Sequence, residues 1–221
     1  MAKEATDFLY PFIEGDERDS ASLLDDLAES FRGKWAQSAQ LRRTTLTRSR
    51  SQLDEVGSAM ADRFRAGGRL FTFGNGGSAT DAEAVADLFA RPPWGEPLPA
   101  RSLASDLAVI TALSNDIGFD VVFSRQLEAH GRRGDIALGL STSGNSENLL
   151  RAFSEAAKVG MLTVGLAGYD GGRMAASKEL EHCLVARSDS VHRIQETQAA
   201  TFHALWRAVQ DQLRDLRERK P

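Results

Sequence analysis

The chain has a single cysteine, Cys183, in 221 residues, so no internal disulfide can staple its fold. It lies in the apolar-alternating run 180–185 and reads as a buried strand residue rather than a reactive thiol. No stretch approaches the roughly 18 uninterrupted apolar residues that a membrane-spanning helix needs. The acidic start, MAKEATDF, lacks the basic-then-apolar order of a secretory signal, and the cytoplasm is the expected compartment. An excess of positive charge is missing as well. The net charge of −4 gives no global attraction to nucleic acid, although Arg42, Arg43, Arg48 and Arg50 form a local basic cluster that reads as a solvated helix face. An anionic ligand must therefore be held by local groups.

What is present is a hydrophobic content of 42%, enough for one substantial core. Residues 1–19 are acidic and broken by Pro11 and Gly15, and they read as an N-terminal appendage to a single domain over 20–221. The spacing predicts a short helix over 20–31 ended by Gly33, then a long helix over 35–66 closed by Gly67 and Gly68. The period then changes. A β-prone run at 70–73 ends in Gly74-Asn75-Gly76-Gly77-Ser78 and is followed by a helical stretch over 79–90.

After the proline-rich segment 92–99, helical patterns extend to Ser114 and over 119–130. The first theme then returns, with a buried strand at 136–140, the loop 141–145 and a helix over 146–159 closed by Gly160. Strands at 161–167 and 180–186 and an amphipathic helix over 191–216 complete the chain. Nearly continuous apolar strands alternating with helices predict a three-layer α/β sandwich with a parallel sheet, because such strands have no solvent face. Ligands belong at the carboxyl ends of those strands, where both loops fall.

In the first loop, Gly74, Gly76 and Gly77 let main-chain N–H groups approach an oxyanion, and the next helix offers its positive end. The same residues also make an ordinary tight turn. The second loop, Ser141-Thr142-Ser143-Gly144-Asn145-Ser146, is more specific, since four hydroxyls crowd a junction where one capping residue would suffice. Ser146 has a second reading as that cap. Phosphate oxygens need several donors, which the excess hydroxyls supply. There is no P-loop lysine and no dinucleotide fingerprint, so a phosphorylated metabolite fits better than a nucleotide.

These residues resemble the sugar isomerase (SIS) family, in particular the bacterial phosphoheptose isomerases and their replication-initiator-associating paralogues. The resemblance rests on AGGRLFTFGNGGSATDA, ALSNDIGFDVVFSRQLEAHGRRGD, LGLSTSGNSENLL, GYDGGRMA and RIQETQAATFHAL, in that order over residues 20–215. It implies a flavodoxin-like SIS fold. It also implies a homotetramer in which the long terminal helices pack as a bundle, with a phosphorylated sugar as ligand. The binding residues it implies are Asn75, Gly76, Gly77, Ser78, Asp116, Ser141, Thr142, Ser143, Ser146 and Gln195.

The family's reaction moves a proton between adjacent carbons of sedoheptulose 7-phosphate, which needs a base near the substrate and an acid at the oxygen. In the family a His and, four residues on, a basic Glu follow the first loop. The terminal helix carries a Gln and a His eight apart, and these four residues can bind zinc. Here Gln195 and His203 correspond to the second pair, about 80° apart on a helix. The first pair is replaced by Ala84 and Leu88, so no complete zinc set and no other cofactor is expected, and His192 stands where the family has an Asp.

Glu83 and Asp87, one residue upstream of each lost position, are replacement carboxylates in one reading and solvated or interface acids in the other. Glu147 is a further candidate base or a simple helix-start acid. His203 is either the acid or a packing histidine. Two functions follow: a phosphoheptose-isomerase-like enzyme using Asp87 or Glu83 with His203, or a non-catalytic phosphosugar sensor or platform for a protein partner.

Overall fold

The computed structural model describes residues 20–218. The appendage expected over residues 1–19 lies outside the described residues. Two compact units are distinguished, residues 1–39 and 40–221. In the first, the described residues form the start of helix α1 (Ser20–Arg48) and leave Leu24, Phe31 and Trp35 exposed.

The second unit holds the rest of α1, then α2 (Arg50–Arg65), β1 (Leu70–Gly74), α3 (Gly77–Ala90), β2 (Ala100–Ser102) and α4 (Leu107–Asp116). A 3₁₀ turn at Phe119–Val121 leads to α5 (Val122–His130), β3 (Ile136–Ser141), α6 (Glu147–Val159) and β4 (Leu162–Gly168). The short α7 (Gly172–Ala176), β5 (His182–Ala186) and α8 (Val191–Glu218) follow. Among the described residues no helix is long and apolar enough to cross a membrane.

The five strands form one sheet in the order β2-β1-β3-β4-β5, and every neighbouring pair is parallel. The chain winds one way from β1 to β2 and the other way from β3 onward. The connections therefore diverge between β1 and β3, opening a crevice at their carboxyl ends. The loops after β1 and β3 are the two glycine- and serine-rich loops.

Burial on both faces follows from strand alternation. Leu70, Leu138, Leu140, Val164 and Leu166 point to one side, where Val56, Met60 and Phe64 of α2, Val85 and Phe89 of α3, and Phe202, Leu205 and Val209 of α8 cover them. Phe71, Phe73 and Ala137 point to the other, against Phe123 and Leu127 of α5 and Leu149 and Phe153 of α6. Polar groups inside this core are matched: the Thr72 hydroxyl donates to the Ala82 carbonyl at 2.6 Å. The buried Asp135 carboxylate accepts from the Arg69 and Arg132 main-chain N–H groups and from the Arg69 guanidinium at 2.7 Å. The predicted three-layer α/β sandwich is the fold observed.

Some boundaries differ. Helix α1 runs through Gly33, since one exposed glycine costs only about 1 kcal/mol in a helix and the flanking residues are helix formers. The break falls instead at Ser49, so the helix expected over 35–66 is divided there. Strand β2 falls in the stretch where the sequence predicts a helical pattern; its three residues show no periodicity and are recruited by parallel pairing with β1.

Gly139 shows how tightly the sheet is covered. A Cβ there would lie 2.6 Å from the Phe153 ring and 2.7 Å from the Phe73 ring, whose centroids are already 5.2 Å apart. Gly139→Ala is expected to destabilise the fold by about 1–3 kcal/mol through overpacking, read as a lower urea midpoint with an unchanged slope.

Candidate functional site

The site is built where β1 and β3 end side by side. Gly74 closes β1 against the next helix so closely that a Cβ would meet the Ser78 carbonyl oxygen at 2.4 Å. Gly76 follows with φ +55, a left-handed conformation that suits glycine, and α3 begins at Gly77. Asn75 does not leave its amide free. It donates to Asn148 Oδ1 and accepts from Asn148 Nδ2, both at 2.9 Å, which clasps the first loop to the first turn of α6. Asn148, 3% exposed, was missed in the sequence because a single asparagine in a helix carries no local signal.

In the second loop, Ser141 Oγ lies 3.5 Å from Ser143 Oγ and 3.4 Å from Ser146 Oγ. Ser141 Oγ accepts from the Gly144 N–H at 3.0 Å and Ser143 Oγ from the Asn145 N–H at 3.2 Å. Ser146 occupies the N-cap position of α6, yet its hydroxyl makes no capping bond. The three hydroxyls thus converge at the positive end of a 13-residue helix. Thr142 is half-buried in the same loop. A cavity of about 470 Å³ beside the loops is lined by Asn75, Ser146, Asn148, Phe119, Asp120 and Glu147.

Gln195 enters from α8. Its side chain lies over Gly77, where a Cβ would approach Nε2 to 2.3 Å, and its amide hydrogen-bonds the Asp81 carboxyl on α3. Desolvation raises the Asp81 carboxyl above its ordinary value of 3.8, an effect the Gln195 bond partly offsets. Asp81 Oδ2 is buried without a hydrogen-bond partner. Asp81 is a partly buried acid near the start of α3, and no local pattern in the sequence sets it apart from the neighbouring Glu83 and Asp87.

The other acids are placed differently. Glu83 is exposed, and Asp87, also exposed, pairs with Arg91 at 2.6 Å along the same helix. Asp116 is exposed at the end of α4, where it accepts from the Asn115 amide at 2.7 Å. The acid lining the cavity from that side is Asp120, paired with Arg151 at 2.9 Å. Glu147 is held by Arg173 at 2.7 Å and approached by Arg151 at 3.6 Å. Those guanidinium groups, Arg173 first, keep its carboxyl below the usual glutamate range.

His203 is exposed on α8, its Nδ1 2.9 Å from the Ala199 carbonyl and its ring stacked 4.7 Å from Phe202. Donation from Nδ1 leaves Nε2 of the neutral ring as an acceptor. Ala84 is exposed and Leu88 packs its side chain on the core. Zinc does not fit this donor set: Gln195 and His203 remain, the other two positions carry hydrocarbon, and the described residues contain no cluster of three His, Cys, Asp or Glu.

A parallel sheet with two glycine- and serine-rich loops at its switch point defines a class, and the SIS domain family model matches residues 34–168. The chain belongs to the SIS domain family. Its relatives there are phosphoheptose isomerases. That of Chlorobaculum parvum is 41% identical over 180 residues, covering 80% of this chain and 86% of that one. That of Desulfovibrio desulfuricans is 44% identical over 174 residues, covering 76% and 80%. The solved phosphoheptose isomerase of Neisseria gonorrhoeae superposes with a TM-score of 0.78 at 32% identity, covering 84% of this chain and 99% of that one.

Because the folded-state pKa of Asp81 is raised, its protonated form is the one that stabilises the fold. That contribution is complete below the unfolded value of 3.8 and is lost as pH rises through the raised folded value. Asp81→Asn is expected to melt at a higher temperature than the parent at pH 7, and the difference is expected to shrink as pH falls toward 3.8. Calorimetry across that range checks it; a pH-independent difference would mean that the carboxyl is not desolvated.

Proposed function

We propose that the chain binds a phosphorylated sugar at the two loops and works as a phosphosugar-responsive protein rather than as an isomerase. The observation that carries the binding half is the convergence of Ser141, Ser143 and Ser146 on one another, unused by the helix cap. Three rotatable O–H donors, the orphan N–H groups of the first turn of α6 and its dipole match a phosphate dianion. Thr142 and the main chain of Gly76, Gly77 and Ser78 contribute further donors in this reading. Asn75 acts through its clasp with Asn148, and Gln195 faces the sugar from α8.

The catalytic half of the family's chemistry has no support at the family's positions. Ala84 and Leu88 cannot take up a proton, and Glu83 and Asp87 point into solvent on the exposed side of α3. One observation favours a second reading, isomerisation with Asp81 as the base: its carboxyl is partly desolvated, raised in pKa and bonded to Gln195. His203 would then work through Nε2.

Self-association belongs to the same proposal. Helix α4 buries none of its residues, and Leu107, Ile117 and Phe119 are 72%, 57% and 53% exposed. Apolar surface of this kind calls for cover, and a homotetramer in the cytoplasm supplies it. A protein partner docked on that assembly is the platform version of the same function.

The test uses sedoheptulose 7-phosphate. Saturation at about 100 times the dissociation constant is expected to stabilise the protein by about 2.7 kcal/mol. Ser143→Ala combined with Ser146→Ala is expected to abolish that gain. No aldose phosphate is expected at high protein concentration, with or without added zinc. Turnover that disappears in Asp81→Ala would establish the isomerase instead.

A further inference from the structure

One member of the sequence's arginine cluster, Arg48, is exposed at the rim of a cavity. Where α1 gives way to α2, Ser49 (φ −91, ψ 6) interrupts the helix, while its N–H still donates to Thr45 O at 2.9 Å and its carbonyl accepts from the Leu53 N–H at 2.7 Å. The result is an elbow rather than a separation. Its inner side faces β5, the edge strand of the sheet, where the Gln52 amide donates to the Cys183 carbonyl at 3.2 Å. Between elbow and strand lies a cavity of about 250 Å³, lined by the polar side chains of Thr44, Thr45, Arg48, Ser49, Gln52 and Arg187.

The chemistry of that lining is one-sided. Two arginines line it from different elements, Arg48 from the elbow and Arg187 from just beyond β5; Leu41, Cys183 and Val185 complete the lining, and no Asp or Glu is among its residues. Among the described residues neither arginine makes an ion pair with an acid. Both arginines are exposed, and two like charges brought to one concave surface favour the entry of a counter-charge. Three hydroxyls surround them. The Ser49 hydroxyl is not engaged in a helix cap, and Thr45, 6% exposed, borders the cavity from its buried side.

We propose that this elbow cavity is a second anion site, separate from the two loops, and that it takes inorganic phosphate or the phosphate of a small phosphomonoester. A tetrahedral dianion has four oxygens to satisfy, and two arginine forks with three hydroxyls supply donors in that number. A carboxylate would leave most of them idle. The small volume suits one such group rather than a polymer strand.

Arg187 also lines an open cleft of about 830 Å³ with Ser143, Asn145, Tyr169, Asp170 and Asp189. Arg187 therefore borders both the elbow cavity and the cleft beside the second loop. Tyr169 holds the only positive φ, +50, recorded for a non-glycine among the described residues, and it marks the same cleft wall.

The experiment is a calorimetric titration of the full chain with inorganic phosphate, comparing the parent with Arg48→Gln, Thr45→Val and the Ser143→Ala/Ser146→Ala double variant. The parent is expected to bind two phosphates per chain. Arg48→Gln should weaken one class by at least about tenfold and leave the other unchanged, and Thr45→Val should weaken that same class. Melting temperatures confirm that both variants fold. The double loop variant should lose the other class. A single class that vanishes with the loop serines and ignores Arg48→Gln and Thr45→Val overturns the elbow site. If the loop variant instead leaves both classes intact, the proposed loop function fails while the elbow site stands.

Discussion

Two hydrogen bonds of 2.9 Å, exchanged between the amides of Asn75 and Asn148, hold the working end of this protein together. Each loop hangs from a different strand, and the sheet alone sets only the spacing of β1 and β3. The loops themselves could still rotate independently. The reciprocal pair removes that freedom, because an amide facing an amide satisfies donor and acceptor together only in one relative orientation. With Asn148 buried, breaking the pair would strand polar groups away from water, a cost of about 1–3 kcal/mol. The first loop is thereby pinned to the helix whose N-terminus carries the serine hydroxyls.

Close backbone approach does the remaining positioning. A Cβ on Gly144 would fall 2.1 Å from the Gly171 carbonyl, and one on Gly168 would lie 2.4 Å from the Thr142 carbonyl, so the second loop rests directly on the end of β4. Gly77 receives the Gln195 amide in the same way. On the inner side, the buried Gln198 amide donates to the Ser141 and Leu166 carbonyls at 3.3 and 3.1 Å, tying α8 to the ends of β3 and β4. These contacts use main-chain groups and leave the serine hydroxyls rotatable. A preorganised cradle with free O–H donors is what an anion of variable orientation requires.

The sequence displayed the strand-loop-helix repeats and the surplus of hydroxyls because both are local signals: a change of period, and more Ser and Thr than a cap can use. The Asn75–Asn148 clasp, the Asp81–Gln195 contact and the pairing of Arg48 with Arg187 join residues far apart in the chain, and no local pattern announces them. Strand β2 stayed hidden for the same reason, since its partner β1 creates it. The exposed side of α3 was half legible. The spacing of Glu83 and Asp87 puts them on one face of a helix, but only packing shows that this face is turned to solvent and that Asp81, near the start of α3, is the acid drawn inward.

Loss of the family's base is woven into the core rather than painted on the surface. Leu88 packs against the cluster formed by α2, α3, α8 and the sheet, so a carboxylate at that position would be partly withdrawn from water. Such a group needs a compensating cation, and the neighbour that would supply a metal ligand is Ala84. The two replacements are therefore mutually consistent: with alanine at position 84 a carboxylate at 88 has no cationic neighbour beside it, and a leucine is the lower-energy occupant. The loops carry no such dependence. Their donors are satisfied or freed by contacts with β4, α6 and α8 that do not involve positions 84 or 88, so the geometry of the loops is independent of what occupies those two positions.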